Sequence, residues 1–264
     1  HYAFQSTIHP DGNVLDFFAY VKMMPVRINE FSMGHGGFML HARVTLTDGS
    51  VEEITTDPTW LCRQNRAFTA PDYYDGTMPV DDFAPAVAIA NRWHSAIAPI
   101  PPRIEQERHP RTFSIPPHEK VEVDYEYPLV YSGYIHLQVR TDSRLTMQID
   151  CREVEVVDAH EYFTFVRDTD YISPGIRSVG GYHVYAENTG DPPATVTLSV
   201  METHFPVTRC AHTVTADEDL NQVLRVCEHS LKSCMQTMEV ESVLHCEPMA
   251  CTGDYYVEMM MTAM

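Results

Sequence analysis

Positive charge is scarce in this sequence: Lys and Arg number 18 against 37 Asp and Glu, a formal charge of −19 with histidine neutral. A polyanion's phosphates need Lys and Arg to neutralise them, so this balance argues against nucleic acid and anionic membrane as partners. Neutral sugars and bound cations are compatible with it. A disulfide framework is missing too. The seven cysteines, at 62, 151, 210, 227, 234, 246 and 251, have no regular spacing. In a chain of this length that pattern points to a reducing compartment, hence the cytoplasm. No apolar run reaches the roughly 18 residues of a membrane span. No signal peptide is recognisable, although a chain opening at His1 without methionine leaves a removed leader open. Internal repeats and low-complexity tracts are absent. Gly34-His35-Gly36-Gly37 lacks the strand-to-helix setting and the lysine of a phosphate loop, and reads as a flexible turn.

What is present falls into three stretches. A length of 264 residues suggests two domains, with one large sandwich as the rival. From His1 to about Ala98 the pattern is β-rich. Leu40, Ala42, Val44 and Leu46 alternate onto one face, Asp48-Gly49 is a strong hairpin signal, and Val51 to Thr55 supplies the return strand. Asp72 to Gly76 and Asp81-Asp82 read as acidic loop. Prolines 99, 101, 102, 110, 116 and 117 then predict a semi-rigid linker, because proline fixes φ and cannot join a central ladder. From Val121 a period of two returns in short segments separated by turn residues, the pattern of an antiparallel sandwich. After Val207 the period becomes helical, with Leu220, Val223, Leu224, Cys227, Leu231, Cys234 and Met238 on one stripe. Thr215 three residues before Glu218 fits a capping box. A stripe that broad with so little helix following predicts a missing packing partner.

The chemistry concentrates in Glu241-Ser242-Val243-Leu244-His245-Cys246-Glu247-Pro248-Met249-Ala250-Cys251-Thr252-Gly253-Asp254. Pro248 and Gly253 interrupt helix there. Read as residues alone, its acids are helix-end caps, with Asp254 capping a helix that starts at Tyr255. Read as chemistry, Glu247 is a candidate proton donor. Like-charge repulsion from Glu241 and Asp254 favours its protonated form, and those two carboxylates can accept bonds from sugar hydroxyls. His245, Cys246 and Cys251, with Cys227 and His229, supply zinc-type ligands, but at spacings that match no common scheme; buried thiols are the plainer account. Trp60, Trp93, Tyr73 and Tyr74 could stack on a sugar, with Asp75, Asp81 and Asp82 offering oxygens to Ca²⁺; core aromatics are again the plainer account. No other cofactor is expected.

Glu247 and Asp254 stand seven positions apart, with Thr252-Gly253 before the aspartate. With the preceding Thr215 to Cys234, this resembles the opening of the catalytic domain of bacterial α-L-rhamnosidases, glycoside hydrolase family 78. The hairpin with its Thr-Asp-x-x-Trp, and the Gly133-Tyr134 strand, are similar to that family's sandwiches. Pro248 and Cys251 depart from the family's usual arginine and tryptophan. The resemblance implies a mainly β chain: two antiparallel β-sandwich domains, 1–102 and 103–207, followed from 208 to 264 by the first helices of a truncated α/α barrel. It implies an inverting hydrolase of terminal α-L-rhamnosyl linkages, acting on rhamnosylated oligosaccharides or glycosides. Glu247 is then the general acid, and Glu241, Asp254, His245 and Cys251 bind substrate. The catalytic base is expected farther downstream, so this polypeptide by itself is expected to hydrolyse nothing, and to pair with the rest of the barrel or with a second copy. The other class left open is a stand-alone carbohydrate-binding or adhesion module whose helical tail docks on a partner.

Overall fold

In a computed structural model of the chain, the described residues are 9, 12, 14–19, 21, 37–70, 72–89, 104–152, 159–206, 213–236, 256, 257 and 260. The protein is mainly β and divides into two compact units. One comprises residues 1–67 and 78–99; the other comprises 68–77 and 100–264.

In the first unit, β1 (His41–Thr45) and β2 (Val51–Thr55) pair antiparallel. The hairpin lies where Asp48-Gly49 places it. Gly49 takes φ +84°, a conformation costly for a residue with Cβ, and the Asp48 carboxylate accepts from the Ser50 amide at 2.8 Å. Ala42 and Val44 are half-buried while His41, Arg43 and Thr45 face solvent, as alternation demands. A second small pair joins β3 (Leu61–Cys62) to β6 (Ala84–Pro85).

The second unit is built on a nine-stranded sheet. Its strands are β4 (Phe68–Ala70), β5 (Tyr73–Asp75), β7 (Ile104–Ile115), β8 (Lys120–Arg140), β9 (Leu145–Cys151), β10 (Ala159–Phe165), β11 (Thr169–Ile172), β12 (Arg177–Asn188) and β13 (Ala194–His204). They run in the order β4-β5-β10-β9-β12-β8-β13-β7, and β11 also pairs with β8. All pairings are antiparallel except β5 with β10. The core follows from the period. Leu145, Met147, Ile149 and Cys151 are buried and alternate with half-exposed Thr146, Gln148 and Asp150. Ile135, Leu137, Val139, Val184, Val196 and Leu198 are 0% exposed. Each such side chain stabilises the fold by roughly 1.5–3 kcal/mol through its burial.

Four expectations are corrected. The proline-rich stretch is not linker throughout, since Ile104–Ile115 forms β7 with Pro110 inside it. Proline is tolerated because β7 is the sheet's edge, and because its ladder with β13 slips at this point. His109 there adopts φ +49°. Asp72 to Gly76 is not simple loop either: Tyr73–Asp75 is a strand, paired with β10 eighty-odd residues later, through Tyr73↔Tyr162 and Phe163↔Tyr74. The segments around Val123 and Leu137 are one 21-residue strand rather than two. The final correction concerns α1 (Glu218–Cys234), which begins as expected but is capped by Asp217, whose carboxylate accepts from the Asp219 and Leu220 amides. Thr215 instead buttresses the cap, accepting from the Asp217 amide at 3.1 Å.

Candidate functional site

Glu241, His245, Cys246, Glu247, Cys251 and Asp254 lie outside the described residues, as do Trp93 and Gly34 to Gly36. What is described is the helix leading into that stretch and the way it is fixed. Glu218 receives a bond from Arg225 at 2.7 Å, which holds its carboxyl below the usual carboxylate range. In the second half of α1, the imidazole of His229 contacts the Val130 carbonyl at 2.6 Å, and its ring stands edge-on to Tyr131. The end of α1 is tied to the end of β13. Phe205 donates its amide to the Met235 carbonyl at 2.9 Å, and Gln236 donates from Nε2 to the Thr203 carbonyl at 2.9 Å. Met235 and Gln236 are buried although no residue within α1 is.

The aromatic and acidic groups singled out upstream are not brought together as one set. Trp60 belongs to the first unit, where its indole N–H donates to the Thr55 carbonyl at 3.1 Å and its ring lies 6.1 Å from that of Phe38. Tyr73 and Tyr74 belong to the second unit. Tyr73 stacks on Tyr162 with centroids 4.6 Å apart, and Tyr74 packs against Phe68, Tyr171 and Phe165. Asp75, in the second unit, accepts from the Thr77 hydroxyl and amide, and the hydroxyl bond above all lowers its carboxyl below the ordinary 3.8. Asp81 and Asp82 are in the first, where Asp81 pairs with Arg66 at 2.8 Å. Among the described residues no group of three or more His, Cys, Asp or Glu side chains is arranged to hold a metal ion. Cys62 and Cys227 are exposed thiols.

The sheet gathers polar groups that sequence spacing did not reveal. On one face of adjacent strands, Asp124, His183, Asp150 and His160 stand side by side in register. His183 places its two ring nitrogens 3.1 Å from Glu122 and from Asp124, and His160 lies 2.6 Å from Asp150. Arg152 forks onto Asp124 and Glu126, and these three line an open depression of about 390 Å³. Elsewhere on the sheet, Ser199, His136 and Asp170 are the residue types of a hydrolytic triad. Ser199 is only 1% exposed, however, and its hydroxyl donates to Glu107 at 2.7 Å, so it presents no nucleophile to a substrate. Alternation within each strand could have flagged the polar face; its lateral neighbours depend on strand order, which no local pattern encodes.

No protein-family model matches the chain, and no curated protein matches it. Among solved structures, it is similar to the GH78 family rhamnosidase of Bacillus sp. GL1, with a TM-score of 0.47 and 16% identity over 53% of this chain. The match spans 16% of that enzyme's chain. What the described residues define is a mainly β protein whose larger sheet is followed by an amphipathic helix.

Proposed function

We propose that this chain is part of a glycoside hydrolase resembling the inverting α-L-rhamnosidases, with two β-sandwich domains leading into the first helices of an α/α-barrel catalytic domain. Glu247 protonates the departing glycosidic oxygen, and Glu241, Asp254, His245 and Cys251 hold the sugar. An inverting pair also needs a carboxylate roughly 6.5–9.5 Å from the acid to activate water. No residue of this sequence is assigned that role. The observation that carries the reading is one of order: a sheet-forming unit is followed by the Asp217-capped α1, whose C-terminal end is fixed to β13, and then by Glu247 seven positions before Asp254. The sandwich is supported by the way β8 pairs with β12 up to Gly133 and with β13 and β11 beyond it.

The test is Glu247→Gln in the natural gene product, assayed on an aryl α-L-rhamnoside. Loss of general-acid catalysis lowers kcat by about 10²–10⁴-fold while rhamnose binding persists. Undiminished turnover would overturn the assignment. Turnover of other aryl glycosides alone would keep the hydrolase and remove rhamnose. Sugar binding by a monodisperse protein that cleaves nothing would favour the carbohydrate-binding module instead.

A further inference from the structure

The face of the larger sheet turned away from the core carries aromatic rings, which a merely solvated face does not need. Two rows cross it in register. One runs His160, Asp150, His183, Asp124 over β10, β9, β12 and β8. The next runs Tyr73, Tyr162, Gln148, Tyr185 over β5, β10, β9 and β12. Their neighbours along the strands, among them Ile149, Phe163 and Val184, are buried, so alternation turns both rows outward. Tyr73 is 48% exposed and Tyr185 44%. Tyr162 and Tyr185 stand two strands apart, roughly 9–10 Å at the spacing of a sheet, which is about the length of a disaccharide. The polar groups beside the rings hold one another in place. Asp150 accepts from Gln148 at 2.8 Å, and Arg152 donates to both Asp124 and Glu126 at the open depression. A guanidinium has about five N–H donors and a carboxylate about four acceptor sites, so this trio keeps both kinds of group for a ligand.

We propose that this face binds a neutral, extended oligosaccharide of pyranose units. One sugar sits in the depression, where its hydroxyls, each both donor and acceptor, meet Arg152 and the carboxylates of Asp124 and Glu126. The chain then crosses the strands over Tyr185 towards Tyr162 and Tyr73, whose rings pack against the apolar faces of successive sugars. The choice of ligand follows from charge and from composition. Glu122, Asp124, Glu126 and Asp150 outweigh Arg152, an excess of negative charge that repels uronates, phosphates and sulfates. No aliphatic side chain stands in either row, so the face lacks the apolar centre of a protein interface. The strands fix the spacing of the rings before any ligand arrives, which spares binding much of its ordering cost. The site does not rest on the hydrolase assignment, since none of its residues belongs to the stretch around Glu247 and binding is read without turnover; either can fail alone.

The experiment is calorimetric titration of the whole protein with neutral tetrasaccharides of glucose, xylose and rhamnose, a galacturonate tetrasaccharide and an oligolysine peptide. The expected result is that at least one neutral tetrasaccharide binds. Its affinity should fall about tenfold in Tyr185→Ala and about ten- to a hundredfold in Arg152→Met, and should be unchanged in Glu247→Gln. If Arg152→Met does not fold, Tyr185→Ala, which alters an exposed ring, carries the comparison. No binding of any neutral tetrasaccharide, an affinity that Tyr185→Ala leaves intact, or tighter binding of the galacturonate or of oligolysine overturns the site.

Discussion

Arg177 of β12 and Glu161 of β10 meet at 3.0 Å, and Asp72 takes another guanidinium nitrogen at 2.7 Å. The arginine side chain is 14% exposed and that of Glu161 is 6%. Burial works against the guanidinium's charge, but Glu161 foremost, and Asp72 with it, hold it above its ordinary range. Removing the arginine leaves a buried carboxylate without that partner, the costly way to break such a pair. Arg177→Met is expected to lower the unfolding free energy in urea by about 3–5 kcal/mol. Asp72→Asn should cost less than about 1 kcal/mol, since Asp72 is half in water.

Gly133 lies where β8 and β13 approach so closely that a Cβ would stand 2.3 Å from the Met201 carbonyl oxygen. The obstacle is backbone, which cannot swing aside as a side chain can. Gly133→Ala should therefore destabilise by about 3 kcal/mol, seen as a lower urea midpoint with an unchanged slope.

Tyr182 is fully buried, and Tyr127 keeps its hydroxyl buried with no hydrogen-bond partner among the described residues. Burial pushes both phenols above their ordinary value of 10.0. Their contribution is complete below pH 10 and is lost as pH climbs past it, because the unfolded chain sheds these protons first. Phenolate absorbance should show the two rings ionising only as the protein unfolds in alkali. Tyr127→Phe removes an unsatisfied hydroxyl, so it should raise the pH of alkaline unfolding and gain up to about 1 kcal/mol at neutral pH.

Helix α1 depends on a few fixed points. Gln236→Ala cuts the bond to Thr203, and His229→Ala cuts the one to Val130. Each should cost about 1 kcal/mol and speed amide hydrogen exchange in α1, while β9 and β12 keep their protection. Equal acceleration in the sheet would contradict this local anchoring.

The sequence made the central strands legible because one face of each is buried. Val196, Leu198 and Val200, or Leu145, Met147 and Ile149, announce themselves by period alone. It hid β7, whose Glu105 to Arg111 run carries charge where a core strand carries valine, because an edge beside solvent needs charge more than alternation. It hid β5 for a related reason, since the partner of Tyr73 is Tyr162, and nothing local to Tyr73 specifies a parallel neighbour. The His136 cluster was out of reach in the same way: Glu107, His136, Asp170 and Ser199 lie on four different strands. Of the acid-rich stretch around Glu247, only the approach along α1 is described, and the Asp217 cap there replaced the expected Thr215.

The β5–β10 pairing has a consequence for synthesis on the ribosome. Tyr73 leaves the exit tunnel long before Tyr162 exists, so the nascent chain must carry the β4–β5 pair without its parallel neighbour β10 until that strand has been made. Cleaving the polypeptide near residue 100 would likewise not yield two self-sufficient halves, because the downstream piece would be short of two strands and of the carboxylate that steadies Arg177.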